Sequence, residues 1–222
     1  MFLLPVFLRP ILPLNLGLLL LSPLWFLGQP RFQLTEGSRT AYQSIIALKL
    51  EKGLLEVKQE KKRDPQNLLP ELLDNYADFL RLYFNEDPAD YDQFQQAWPR
   101  RLERIQQGPR QSPYRLFCLG VMHFQRAVIE VKWGNYWSAG VLFRKAYQQI
   151  RENQQRFPFF APNQVYAGAL EVAAGTIPEG YRWVGSLLGI GGTIRGGLGQ
   201  LENFLARSDE LSRLFQIGRA HV

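Results

Sequence analysis

Two side chains able to do nucleophilic or acid–base chemistry stand close together in the sequence, Cys118 and His123. A cysteine–histidine pair works when the imidazole takes the thiol proton, which needs both groups within hydrogen-bond reach. Five residues along a helix place them on different faces, so the spacing argues for two core residues instead. Asp74 and Asp78, one helical turn apart, have the spacing to hold a cation or share a proton. They lie opposite the apolar stripe of their segment, so a solvated face is expected for both. The glycines Gly189, Gly191, Gly192, Gly196, Gly197 and Gly199 suggest a phosphate-cradling loop. That reading fails in detail: no strand pattern precedes them, no Gly-Lys-Ser/Thr follows, and Gly-x-Gly-x-x-Gly is not met in register. Arg195, near a helix start, is the one group there that could meet an anion. Tight turns and close helix packing account for the rest. Cys118 is the only cysteine, so no intramolecular disulfide and no structural zinc ligand set can form. No catalytic, cofactor-binding or metal-binding residue is expected, and the chain is not expected to be an enzyme.

Large aromatic side chains are the remaining candidates for recognition. Most of the five tryptophans and nine tyrosines are expected in the core, while Trp98, Tyr136 and Trp137 are candidates for a partner surface.

The elements that must position these residues are helical. Apolar residues recur at helical spacing in segment after segment, and no period-2 alternation persists. Tyr42, Ile46, Leu50, Gly53, Leu54 and Val57 make one stripe, ended by Asp64-Pro65. Leu69, Leu72, Leu73, Tyr76, Phe79, Leu80 and Tyr83 make the next. Asp87-Pro88 opens a third helix, which a kink at Pro99 is expected to interrupt. Ser112-Pro113 opens a helix whose apolar residues fall on two faces, with Leu116, Leu119, His123, Ala127 and Val131 on one and Phe117, Val121, Phe124 and Val128 on the other. Such a helix must be covered on both sides. After the turn at Trp133-Gly134-Asn135, a helix from Tyr136 turns Ala139, Leu142, Phe143, Ala146 and Ile150 inward. A further helix ends near Gly175. Thr176-Ile177-Pro178-Glu179 reads as a capping box for a short helix through Leu188, and a last helix starts at Thr193.

Both ends stand apart. Residues 1–28 read as a signal peptide, because Ile11 to Leu27 is apolar but broken by Pro13 and Pro23, and Arg9 is the only charge. An uncleaved anchor and a buried helix are the other readings. No cysteine follows, so a lipoprotein anchor is excluded. Ile217-Gly218-Arg219-Ala220-His221-Val222 resembles the translation of a sequencing adapter, with a natural short tail as the other reading. The expected organisation is therefore a helical-repeat domain over 29–216, truncated at its C-terminus, followed by an adapter tail over 217–222. Truncation predicts exposed apolar surface at Phe204, Leu205, Leu211, Leu214 and Phe215.

The net charge is +6, and +4 once Arg9 and Arg219 are set aside. Charges of both signs alternate along the helices, so no nucleic-acid partner is expected. The densest basic run, Lys58, Lys61, Lys62 and Arg63, is interleaved with Glu56 and Glu60. It reads as a solvated helix end, with an anionic contact as the lesser alternative.

The stretch Ala127 to Ala146 resembles a tetratricopeptide repeat, a helix pair with small residues at the crossing and a glycine and aromatic at the turn. The matching residues are Ala127, Gly134, Tyr136, Ala139, Phe143 and Ala146. Glu130 departs from the aromatic usual near that position. A second stretch, with Gly168, Ile177-Pro178, Leu187-Leu188-Gly189, Gly192 and Gly197-Leu198, is similar to the family named after tetratricopeptide repeat protein thirty-nine and the yeast inclusion-body clearance protein. It is also similar to exported helical-repeat proteins of Bacteroidota-type bacteria. These likenesses cover roughly residues 68 to 205. They imply an all-α fold of antiparallel helix pairs stacked as a tetratricopeptide-like α-solenoid, and they bring no catalytic residue. The function expected is an exported, periplasmic or envelope scaffold that binds a peptide or protein on a concave surface. The alternative is a helical module binding a small ligand or glycan. A membrane would be met only through an uncleaved N-terminal segment.

Overall fold

The computed structural model describes residues 28–177, 189, 191–207 and 209–215. The expected signal segment up to residue 27, the adapter-like tail and the expected short helix from Pro178 through Leu188 lie outside them. Among the described residues the regular structure is entirely helical. The helices are α1 (Glu36–Ile46), α2 (Leu50–Arg63), α3 (Leu69–Asn85), α4 (Pro88–Gln106), α5 (Pro113–Lys132), α6 (Tyr136–Arg156), α7 (Pro162–Gly175), α8 (Ile194–Leu205) and α9 (Glu210–Phe215). An isolated parallel bridge, Arg31 with Asn67, ties the entering chain to the α2–α3 loop.

Local chemistry sets most helix starts. Thr35, Asp87, Ser112 and Thr193 each have a side-chain oxygen that accepts from a backbone amide of the first turn, satisfying a donor with no intrahelical partner. Proline occupies the first position of α4, α5 and α7, where its missing N–H removes nothing from the helix. α4 continues through Pro99 to Gln106, with Pro99 on its exposed side.

One sequence expectation changes near the start of the fold. The single stripe from Tyr42 to Val57 is two helices, because Leu48 adopts a left-handed conformation at φ 60° and reverses the chain. Gly53 then lets α2 close onto α1, since a Cβ there would lie 2.5 Å from Ile45. Thr176 ends α7 with a helical backbone, and its hydroxyl donates to the Ala173 carbonyl at 2.8 Å. The rest of the expected capping box, Pro178 and Glu179, lies outside the described residues.

Helices pack with their chain neighbours, α1 with α2, α5 with α6 and α7 with α8. α3 and α5 add contacts across these pairs. α5 is the centre, buried along nearly its whole length from Leu116 to Glu130 and packed on α3, α4, α6 and α7. Gly120 lets α6 pack closely on it, since a Cβ there would lie 2.8 Å from Ile150 and 3.5 Å from the Ala146 carbonyl. At the far end α9 covers the core. Leu214 joins the main apolar cluster and Phe204 is buried, so the exposure expected of these two is overturned. Leu205 and Leu211 are half-buried.

Candidate functional site

Where α5 hands over to α6, the sequence turns on Gly134, whose φ of +77° suits a residue without a Cβ. The Asn135 amide follows by donating to the Glu130 carbonyl at 2.8 Å. This turn opens beside the start of α4, and the space between them is an open groove of about 620 Å³.

The groove floor is a polar network. The Glu130 side chain, 3% exposed, accepts from Tyr91 Oη at 3.2 Å, from Arg126 Nε at 2.5 Å and from Asn135 Nδ2 at 2.8 Å. Burying a carboxylate is costly unless donors meet it, and three do so here. Arg126 and Glu130 are one turn apart on α5, so a single helix face supplies the pair. The Arg126 guanidinium also lies 5.2–5.6 Å from the ring centres of Tyr91, Phe94 and Trp98, all on α4. Cation–π attraction of that kind holds the side chain across the α4–α5 interface. Trp133 stacks on the Tyr91 ring at 4.6 Å and helps hold it in place.

Above this floor stand Tyr136 and Trp137, in the first turn of α6 and 61% and 66% exposed. Tyr83, Phe84 and Val131, at the ends of α3 and α5, are also exposed at this end of the bundle. Lys132 holds those two ends together, donating to the Tyr83 carbonyl at 2.5 Å while its ammonium lies 4.4 Å from the Tyr83 ring centre.

Of the three aromatics expected at a partner surface, Tyr136 and Trp137 line the groove. Trp98 does not share it. It is half-buried in the α4–α5 interface, with its indole N–H donating to the Met122 carbonyl at 3.3 Å. Of the repeat-packing residues, Ala127, Ala139 and Ala146 are buried, Phe143 is half-buried, and Gly134 and Tyr136 are at the turn. In the second motif Gly168 and Gly197 face each other across α7 and α8. Gly192 lies against the Glu171 backbone, Gly189 has φ +64°, Ile177 is half-buried and Leu198 is exposed.

The chemistry-bearing residues are placed as follows. Cys118 is fully buried, and burial pushes its thiol well above the ordinary range. His123 is buried with Nδ1 between the Leu119 carbonyl at 2.7 Å and Gln149 Oε1 at 2.8 Å. Burial lowers its pKa, against the opposing pull of those two bonds. Asp74 and Asp78 are not on a solvated face. Asp74 pairs with Lys61 at 2.6 Å and Asp78 with Arg101 at 2.7 Å, so they join α3 to α2 and α4. Apolar stripes locate the core, but they do not show which flanking charge meets a neighbour.

Tyr91, Arg126, Glu130 and Asn135 were missed in the sequence. The available signal was a charged pair at i, i+4 inside an otherwise apolar helix, which invites a search for partners. Among the described residues no group of three or more His, Cys, Asp or Glu side chains is arranged to hold a metal ion. No described helix is long and apolar enough to cross a membrane.

The class these residues define is an all-helical bundle of neighbouring pairs with an open, aromatic-rimmed groove at one end. Compared with family models, with curated proteins and with solved structures, the chain gives no match in any of the three.

Proposed function

We propose that this protein is a non-catalytic, exported scaffold of tetratricopeptide-like stacked helix pairs, and that it binds a peptide or protein partner in the groove at the α5–α6 turn. The observation that carries this reading is the juxtaposition of exposed Tyr136 and Trp137 with the preorganised Arg126–Glu130–Asn135 floor. Aromatic rings give large contact area at low entropic cost, and fixed polar groups select main-chain donors and acceptors. A groove lined by arginine, asparagine and tyrosine, open along one side, suits an extended peptide better than an enclosed small molecule. Placement in the periplasm or envelope rests on the apolar leader, and the repeat class on the two resemblances. A non-catalytic role fits side chains already committed to structure: Cys118 is buried, and His123 is held by Leu119 and Gln149.

The test is selection of a random peptide library on the full chain, with the Tyr136→Ala/Trp137→Ala double variant as counter-selection. Peptides that bind the parent at roughly micromolar strength and lose it in the double variant are the expected result. Absence of any enriched peptide, or enrichment indifferent to the two substitutions, defeats the proposal. Glycans retained by the parent and lost by the same double variant would establish the alternative reading instead.

A further inference from the structure

The opposite end of α5 carries a second surface. A helix of this length spans about 30 Å, so the Pro113 end is well separated from the groove. Here the entering chain at residues 28–34, the α2–α3 loop, the α4–α5 loop and the α6–α7 loop come together. Phe32 stacks on Tyr114 at 6.3 Å, and Tyr114 meets Phe160 edge-on at 5.0 Å. That aromatic layer seals the core, yet the next residue outward, Phe159, is 92% exposed on the α6–α7 loop.

Three arginines gather at this end, with Arg156 closing α6 just before the loop. Arg156 donates to the Arg110 carbonyl at 3.0 Å, and Arg115 donates to the Gln106 carbonyl at 3.2 Å, which draws α4, α5 and α6 together. Arg115 is held below the usual arginine pKa, first by partial burial and then by the charges of Arg110 and Arg156, with Glu152 opposing. Glu152, the acid in that group, pairs with Arg156 at 3.2 Å, so the cluster keeps an excess of positive charge. An exposed phenylalanine is costly in water, and one that shares its end of the bundle with three arginines is matched to a surface that is anionic outside and apolar beneath. The strongly apolar residues 1–27 join the described fold at Gly28, at this same end, where a Cβ would lie 3.7 Å from Gln66.

We infer that this end of the bundle docks on an anionic phospholipid surface, with Phe159 entering the headgroup layer and Arg110, Arg115 and Arg156 pairing with lipid phosphates. The groove then faces away from the bilayer. The inference does not depend on what the groove binds.

The experiment is flotation of the full chain with vesicles of phosphatidylcholine alone and vesicles carrying about 30% phosphatidylglycerol. Residues 1–27 are common to every variant, so differences report on the folded part. The parent is expected to prefer the anionic vesicles, and to lose that preference in high salt. The triple variant Arg110→Gln/Arg115→Gln/Arg156→Gln is expected to bind them on the order of 100-fold more weakly, and Phe159→Ser about tenfold more weakly. Equal partition of the parent into neutral and anionic vesicles overturns the inference, as does unchanged binding of either variant. Should the triple variant fail to fold, an environment-sensitive dye on Phe159→Cys decides, because Cys118 is buried. A blue shift only with anionic vesicles supports docking, and an unshifted spectrum overturns it.

Discussion

Gly168 and Gly197 face each other across the crossing of α7 and α8, and a Cβ placed on Gly168 would lie 2.8 Å from the Gly197 carbonyl oxygen. On Gly197 it would lie 2.8 Å from Val172 as well. The obstacles include backbone, so neither helix can give way by moving a side chain alone. Gly168→Ala and Gly197→Ala are each expected to destabilise by about 1–3 kcal/mol, despite alanine's better helix propensity. Urea unfolding of the two variants measures this; a stabilised variant would show that the helices are free to part.

Glu130 anchors three donors, and its loss would leave Arg126 inside without its partner. Glu130→Ala is expected to cost about 3–5 kcal/mol. Glu130→Gln keeps an acceptor and should cost clearly less. A chemical denaturation midpoint for each variant checks the order.

Tyr136 and Trp137 are largely exposed, so their loss should affect recognition more than folding. The Tyr136→Ala/Trp137→Ala variant should stay within about 0.5 kcal/mol per site of the parent. A cooperative transition at nearly the parent temperature is the outcome to look for by circular dichroism, and a marked drop would reassign the pair to the core.

Buried His123 stays neutral in the folded chain more readily than in the unfolded one, since burial lowers its pKa. The unfolded chain therefore takes up a proton first as pH falls below about 6.5. Stability contributed by neutral His123 is complete above that pH and is lost as the solution is acidified towards the folded pKa. Urea midpoints at pH 7 and pH 5 should differ more for the parent than for His123→Gln.

The alkaline side is set by tyrosines. Tyr42 and Tyr76 are buried and Tyr166 packs partly buried against them, with Tyr76 and Tyr166 joined hydroxyl to hydroxyl between α3 and α7, and loss of solvent raises the pKa of all three. The unfolded chain ionises first, so stability is expected to fall as pH rises past about 10. Tyr166→Phe should make that fall shallower, as read from unfolding midpoints between pH 8 and pH 11.

The helical class and most helix starts were legible because they depend on local rules. Ser112, Asp87 and Thr193 cap where their types predict, and α5 carries apolar residues on both faces because it is covered on both. What escaped reading was non-local. Leu48 turns left-handed without a glycine to announce it, and Asp74 and Asp78 find cations on other helices. Gly120 resembles any helical glycine until Ile150 is set against it. The groove was half legible: Tyr136 and Trp137 stood out by size, but Tyr91 reaches Glu130 across 39 residues, and no pattern in either segment points to the other.

Burial of α5 against α3, α4, α6 and α7 at once has a consequence for how the molecule comes apart. Where stacked pairs touch only the next pair along, the ends can peel away singly. A hub helix ties those four helices to one another, so losing it strips cover from all of them together. Melting of the bundle around this hub should therefore be concerted, a single calorimetric step without a lingering half-open form.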